Sequence, residues 1–192
     1  MKCLLCENYS LTQHICKSCQ KQFLQPSLHT RTLGSGVKVF SFYRYDEIKP
    51  LLFTKHTDLG FHIYKLLADL SFKHFAKNFV WDKRVASIAI DDNVKSGYSH
   101  TAILNHSLKS KNIKPLFNKL LAQNSISYSG KSRAFRRANP RNFHFKSFKE
   151  DEIILVDDII TTGTTLTEAI ATVQKNHKSV LFCLTLTDVN KF

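Results

Sequence analysis

Residues 154–166 read Ile-Leu-Val-Asp-Asp-Ile-Ile-Thr-Thr-Gly-Thr-Thr-Leu: an apolar run, two adjacent carboxylates, then four threonines around Gly163. A short apolar run closed by polar residues and a glycine has the pattern of a buried strand feeding a turn. The segment from about Thr164 to Asn176 is expected to be helical. A glycine turn between a strand and a helix N-terminus makes an anion site, because backbone N–H groups converge there and the helix dipole adds to them. Thr161, Thr162, Gly163, Thr164 and Thr165 therefore read as a phosphate loop, with threonine hydroxyls as extra donors. Asp157 and Asp158 cannot face that phosphate, since like charges repel. Carboxylates accept hydrogen bonds from paired hydroxyls and bind magnesium directly or through water. The ligand implied is a sugar phosphate, its phosphate in the threonine loop and its vicinal hydroxyls on the acids. An N-capped helix with solvated acids is the plainer alternative, and it leaves two acids beside four threonines unexplained.

Working outward, Val37–Tyr43, Val85–Ile90, Ile153–Val156 and Val180–Leu186 are apolar enough to be strands, and Leu59–Phe79 and Thr101–Leu108 carry helical spacing. Strands alternating with helices imply a parallel sheet with helices on both faces, an α/β fold. Ligands of such sheets bind beyond the carboxyl ends of the strands, and Asp157 and Asp158 are expected at that end. No Walker GxxxxGK[ST] run is present, and Gly34-Ser-Gly-Val-Lys-Val39 lacks the third glycine of a dinucleotide fingerprint.

The cysteines divide four to one. Cys3, Cys6, Cys16 and Cys19 form two CxxC pairs with nine residues between them, and Cys183 stands alone in an apolar stretch as a small core residue. Two CxxC turns can supply a tetrahedral sulfur site for a structural zinc. Two disulfides or a redox CxxC are the alternatives, and a chain kept among reduced thiols disfavours both. The expected division is a zinc-binding module over residues 1–30, a polar link over 20–36 that overlaps it, and a main domain over 37–192.

At 192 residues, 43% hydrophobic and 22% charged, the chain is sized for one mid-sized domain plus a small module and lies outside the disordered regime. It holds no apolar run of the ~18 residues that span a bilayer, which excludes an integral membrane protein of the helical kind. The N-terminus, MKCLLCENYS, lacks the apolar core of a signal peptide, so the expected location is the cytoplasm. A formal charge of +13 gives a positive field that favours phosphate-bearing partners. Between Tyr128 and Lys149 seven cations, among them Lys131, Arg133, Arg136 and Arg137, stand without any acid and alternate with Phe135, Phe143, Phe145 and Phe148. Cations that follow a backbone and aromatic faces that stack bases are the composition of a single-strand binder. The alternating phenylalanines also fit a strand whose rings pack inward. Lys109, Lys111, Lys114 and Lys119 form a second basic patch.

ILVDDIITTGTTL resembles the phosphoribosyl diphosphate (PRPP) signature of type I phosphoribosyltransferases. The resemblance implies that Thr161–Thr165 hold the 5′-phosphate, that Asp157 and Asp158 hold the ribose hydroxyls and act in catalysis, and that magnesium accompanies the pyrophosphate. It also implies a loop with basic residues ahead of the PRPP strand, which places Lys131, Arg133, Arg136 and Arg137 on pyrophosphate or on DNA. Two N-terminal CxxC pairs joined to a C-terminal PRPP motif are similar to the ComF family of competence-associated proteins, of the ComFC type. Tyr43-Arg-Tyr45 followed by Lys55, Gly97-Tyr-Ser-His100 and Arg136-Arg-Ala-Asn139 are the intermediate elements of that resemblance. Its Lys-, Phe- and Asn-rich character is similar to that of epsilon-proteobacterial members such as those of Helicobacter. The family implies PRPP and single-stranded DNA as ligands, DNA uptake in natural transformation as the role, and competence proteins at the inner membrane as partners. The chain departs from the family at Ile88–Ser96, where a proline-rich strand and arginines are expected, and at His100, which replaces a glutamine. An active transferase of nucleotide metabolism, moving phosphoribose from PRPP to a nitrogen base, is the alternative.

Overall fold

The computed structural model of the chain describes residues 1–11, 14–91, 94, 97–124, 135 and 138–190. The expected ligands Lys131, Arg133, Arg136 and Arg137 lie outside the described residues. Six strands form the main sheet: β1 (His29–Thr32), β2 (Lys38–Arg44), β3 (Val85–Ala89), β4 (Ile113–Leu116), β7 (Glu152–Ile160) and β8 (Ser179–Asp188). Their order is β1-β2-β8-β7-β3-β4, and only β1 and β2 pair antiparallel. A separate antiparallel pair joins β5 (Leu120–Ala122) to β6 (Phe143–Phe145).

The helices are α1 (Lys17–Phe23), α2 (Tyr45–Leu52), α3 (Asp58–Leu70), α4 (Phe72–Asn78), α5 (His100–Ser107) and α6 (Thr164–Lys175). The central strands are covered on both faces, which explains their near-continuous apolar runs. On one face Ile154 and Val156 of β7 and Leu184 and Leu186 of β8 meet Ile63, Tyr64 and Leu67 of α3 and Leu104 of α5. On the other, Ile153 and Leu155 meet Leu166, Ala169, Ile170 and Val173 of α6, with Cys183 between them. This is the α/β arrangement expected from the alternation of elements, and Cys183 is the core residue it was read to be.

Three differences bear on the site. The expected helix 59–79 is broken at Ser71, whose buried hydroxyl donates to the Leu67 carbonyl at 2.6 Å, a back-bond that competes with the next helical turn. The polar link holds strand β1, which edges the sheet against β2. Strand β7 runs on past Val156 to Ile160, because β8 supplies backbone partners as far as Asp188. Asp157 and Asp158 therefore lie within the strand rather than beyond it.

Candidate functional site

At the carboxyl end of β7 the chain turns at Gly163, with φ 79° and ψ 1°, and α6 starts at Thr164. Glycine is required here on two counts: the left-handed backbone, and a Cβ that would stand 2.7 Å from Leu33 Cδ2. The hydroxyls of Thr162 and Thr164 lie 2.9 Å apart, and the Thr167 N–H and hydroxyl both donate to the Gly163 carbonyl at 2.9 Å. The first N–H groups of α6 have no intrahelical acceptor, so the turn presents donors under the positive end of the helix dipole. Thr162 is exposed and Thr161, Thr164 and Thr165 are half-buried around it.

Arg31 of β1 braces this loop from behind. Its Nη1 donates to the Thr161 carbonyl at 2.8 Å and to Asp188 Oδ1 at 3.0 Å, with the Asp188 carboxylate buried. One guanidinium thus ties an edge strand, the Thr161–Thr165 loop and the end of β8 together.

The two acids diverge. Side chains alternate across a strand, so Asp157 follows Leu155 toward the α6 face and Asp158 follows Val156 toward α3 and α5. Asp158 is 7% exposed, and its Oδ2 lies 3.1 Å from Lys55 Nζ, 3.3 Å from the Tyr64 hydroxyl and 3.3 Å from His100 Nε2. Burial alone would push this carboxyl up; the Lys55 ammonium and the His100 ring override it and hold the pKa down to about 2. Asp158 in turn raises the Lys55 pKa, while burial and the Lys55 charge lower that of His100. Asp157 is half-buried, accepts the Asp158 backbone N–H at 2.8 Å, and has its pKa raised by burial and by the Asp158 charge. Adjacent in sequence, the two acids hold opposite protonation preferences: Asp158 is fixed as a carboxylate inside a polar cluster, and Asp157 is held toward its neutral form.

At the N-terminus the Sγ atoms of Cys3, Cys6, Cys16 and Cys19 all lie within 4.8 Å of one another. Zinc–sulfur bonds of about 2.3 Å in a tetrahedron space sulfurs by about 3.8 Å, so the cluster fits the ion; Cys6 and Cys16 already stand 3.8 Å apart. Burial would raise the Cys3 thiol, but backbone N–H groups led by that of Cys16 hold it down to about 6. Burial and the neighbouring thiols push Cys19 up to about 12, a penalty that a divalent cation would relieve. These four cysteines could hold a structural zinc. Cys3, Cys19, Ile15 and Leu24 share one apolar core with Phe42, Tyr43 and α3.

The described part of the basic segment favours the inward-packed reading of its phenylalanines. Phe143 is 9% exposed, and Phe145 and Phe148 are half-buried against the same cluster, so Phe143 faces the core and the other two pack partly inward. The second basic patch is partly spent too. Lys114 pairs with Glu150 at 2.7 Å and Lys119 donates to the Ser147 carbonyl, leaving Lys109 and Lys111 exposed. Glu168 of α6 receives the N–H groups of Arg141 and Asn142 at 2.9 and 2.6 Å, which fastens the end of the basic segment to the helix that begins at the Thr161–Thr165 loop.

Arg31, Tyr64 and Glu168 went unread in the sequence. Lys55 and His100 entered only through the family resemblance, and no local signal marks any of the five as a partner of β7 or α6.

No curated protein matches the sequence. Among solved structures, an orotate phosphoribosyltransferase from Aeropyrum pernix is similar at 17% identity over 89% of this chain and 80% of that one, with a TM-score of 0.39. A hypoxanthine phosphoribosyltransferase from Staphylococcus aureus is similar at 16% identity over 67% of each chain (TM-score 0.42), and an adenine phosphoribosyltransferase at 14% over 90% and 89% (TM-score 0.45). The family model described as PRTase-CE matches residues 21–190, a span that holds the Thr161–Thr165 loop, both acids and the residues packed on them, and the chain belongs to that phosphoribosyltransferase family.

Proposed function

We propose that the chain is a ComF-type phosphoribosyltransferase-like protein that binds PRPP and single-stranded DNA and acts in DNA uptake during natural transformation. The observation that carries the PRPP part is the loop Thr161–Thr165, a glycine-dependent turn opening a 12-residue helix directly after the two acids. In this reading the 5′-phosphate sits on the loop, the ribose hydroxyls on Asp157 and Asp158, and magnesium joins the diphosphate. Asp157 meets the hydroxyls directly. Asp158, already held by Lys55, Tyr64 and His100, supplies fixed negative charge that would also stabilise positive charge developing at the sugar C1. Zinc holds the N-terminal module, taken as residues 1–30 ahead of a transferase-like domain over 37–192. The DNA part rests on the net charge of +13 and on the resemblance of the sequence to the ComF family. Competence proteins at the inner membrane would be its partners, with the protein in the cytoplasm or on that membrane's inner surface.

The test is Asp157→Ala in the organism and in the purified chain. Loss of both PRPP binding and transformation is expected. Transformation at the parental level, with PRPP binding gone, would detach the sugar-phosphate site from DNA uptake. Magnesium-dependent pyrophosphate release with one particular base would show a working transferase instead.

A further inference from the structure

The phenylalanines after residue 142 pack wholly or partly inward, and two other large aromatics stand exposed beside lysines that form no ion pair among the described residues. Phe61 and Phe117, each 40% exposed, line a groove of about 630 Å³ between α3 and α5. Phe61, Lys65 and Asp69 recur every four residues on one face of α3, and Lys73 continues the row onto α4. Lys109 and His106 stand on the α5 side, with the His106 and Phe117 rings 6.3 Å apart and tilted by 31°. Asp69, the one carboxylate of the lining, is already paired with Lys73 at 3.0 Å. Among the described residues Lys65 and Lys109 form no ion pair, and both are exposed.

Exposed rings with π-faces flanked by free ammonium groups suit a chain of stacked bases and phosphates better than they suit an apolar peptide. We propose that the α3/α5 groove is a base-stacking platform for single-stranded nucleic acid, with bases on Phe61 and Phe117 and phosphates on Lys65 and Lys109. The proposal rests on the single-strand binding suggested above, and gives it a place apart from the basic segment. The platform also adjoins the acid cluster. Tyr98 lines the groove, stands edge-on to Phe61 with ring centroids 5.9 Å apart, and donates its hydroxyl to the Lys55 carbonyl at 2.7 Å.

The experiment is fluorescence anisotropy of a labelled oligothymidylate with the full, metal-loaded chain across a salt series. Phe61→Ala combined with Phe117→Ala is expected to weaken binding on the order of tenfold or more, the range of base–aromatic stacking. Lys65→Gln combined with Lys109→Gln is expected to flatten the log–log salt slope by about 1.4, at about 0.7 per phosphate contact. These side chains are exposed, so melting temperature checks that the fold is kept. Lys38→Gln with Lys175→Gln, two exposed cations elsewhere, should leave affinity within about twofold of the parent, allowing for the lost net charge. Parental binding that survives both groove pairs, or that falls equally with the control pair, overturns the platform while leaving single-strand binding intact. Equal affinity for duplex of the same length, or an acidic peptide that competes at equal concentration, also overturns it. Absence of oligothymidylate binding by the parent at low salt overturns both proposals.

Discussion

Replacing Lys55 with methionine removes the ammonium from Asp158 while keeping the length of the side chain. Asp158 has its pKa held at about 2 against an ordinary 3.8 and is 7% exposed, so the folded state gains about 2.5 kcal/mol at neutral pH by keeping it ionised. Lys55 is the largest of the groups that offset burial, ahead of His100 and the Asp157 contact, so its removal is expected to cost about 2 kcal/mol, or a fall of about 4–8 °C in melting temperature for a domain of this size. The sign of the pH dependence is fixed by the depressed pKa. The stabilisation is complete above the unfolded-state value of about 4, falls to roughly half near pH 3 and is nearly gone by pH 2. Thermal melts followed by circular dichroism at pH 7, 4 and 3, in buffers free of phosphate, read both quantities. A Lys55→Met chain that melts like the parent at pH 7, or one whose deficit is as large at pH 3 as at pH 7, would refute the view that this ion pair organises the cluster.

Asp157 predicts the opposite sign. Its raised pKa means the folded state resists the charge, so Asp157→Asn should melt above the parent at pH 7, and the gap should shrink as the pH falls through the raised value toward about 4 and be gone below it. Gly163→Ala forces a side chain into the left-handed region against Leu33 and should cost at least about 1–2 kcal/mol, read by urea unfolding at constant m-value. Metal analysis should find about one zinc per chain. Because Cys3 and Cys19 share a core with Phe42 and α3, chelation should lower the melting of the whole chain, and an unchanged transition would contradict that shared packing.

The strand–loop–helix unit was legible in the sequence because every force that shapes it is local: an apolar run, a glycine with left-handed backbone, a helix start. The same holds for the two CxxC turns. What surrounds the acids was not legible. Lys55 and Tyr64 reach Asp158 across 103 and 94 residues, and Arg31 reaches Thr161 across 130, contacts set by strand order and by the packing of helices on the sheet. Arg31 was hidden further by its setting, the four-residue edge strand His-Thr-Arg-Thr, which has no apolar face to give a period. The divergence of Asp157 and Asp158 was in principle readable from the alternation of a strand, had β7 been extended through them. Phe143 and Phe145 show the limit of composition: a strand with one face inward and a groove of aromatics and cations are written with the same letters, and only packing against Leu120 and Leu155 separates them.

The most direct test of the central claim is calorimetric titration of PRPP with magnesium into the full chain and into Gly163→Val. Saturable binding of one PRPP per chain, lost in Gly163→Val while its circular dichroism spectrum is retained, is the predicted result. PRPP that fails to bind the parent, or that binds the variant with equal affinity, would contradict the assignment of the Thr161–Thr165 loop as its phosphate site.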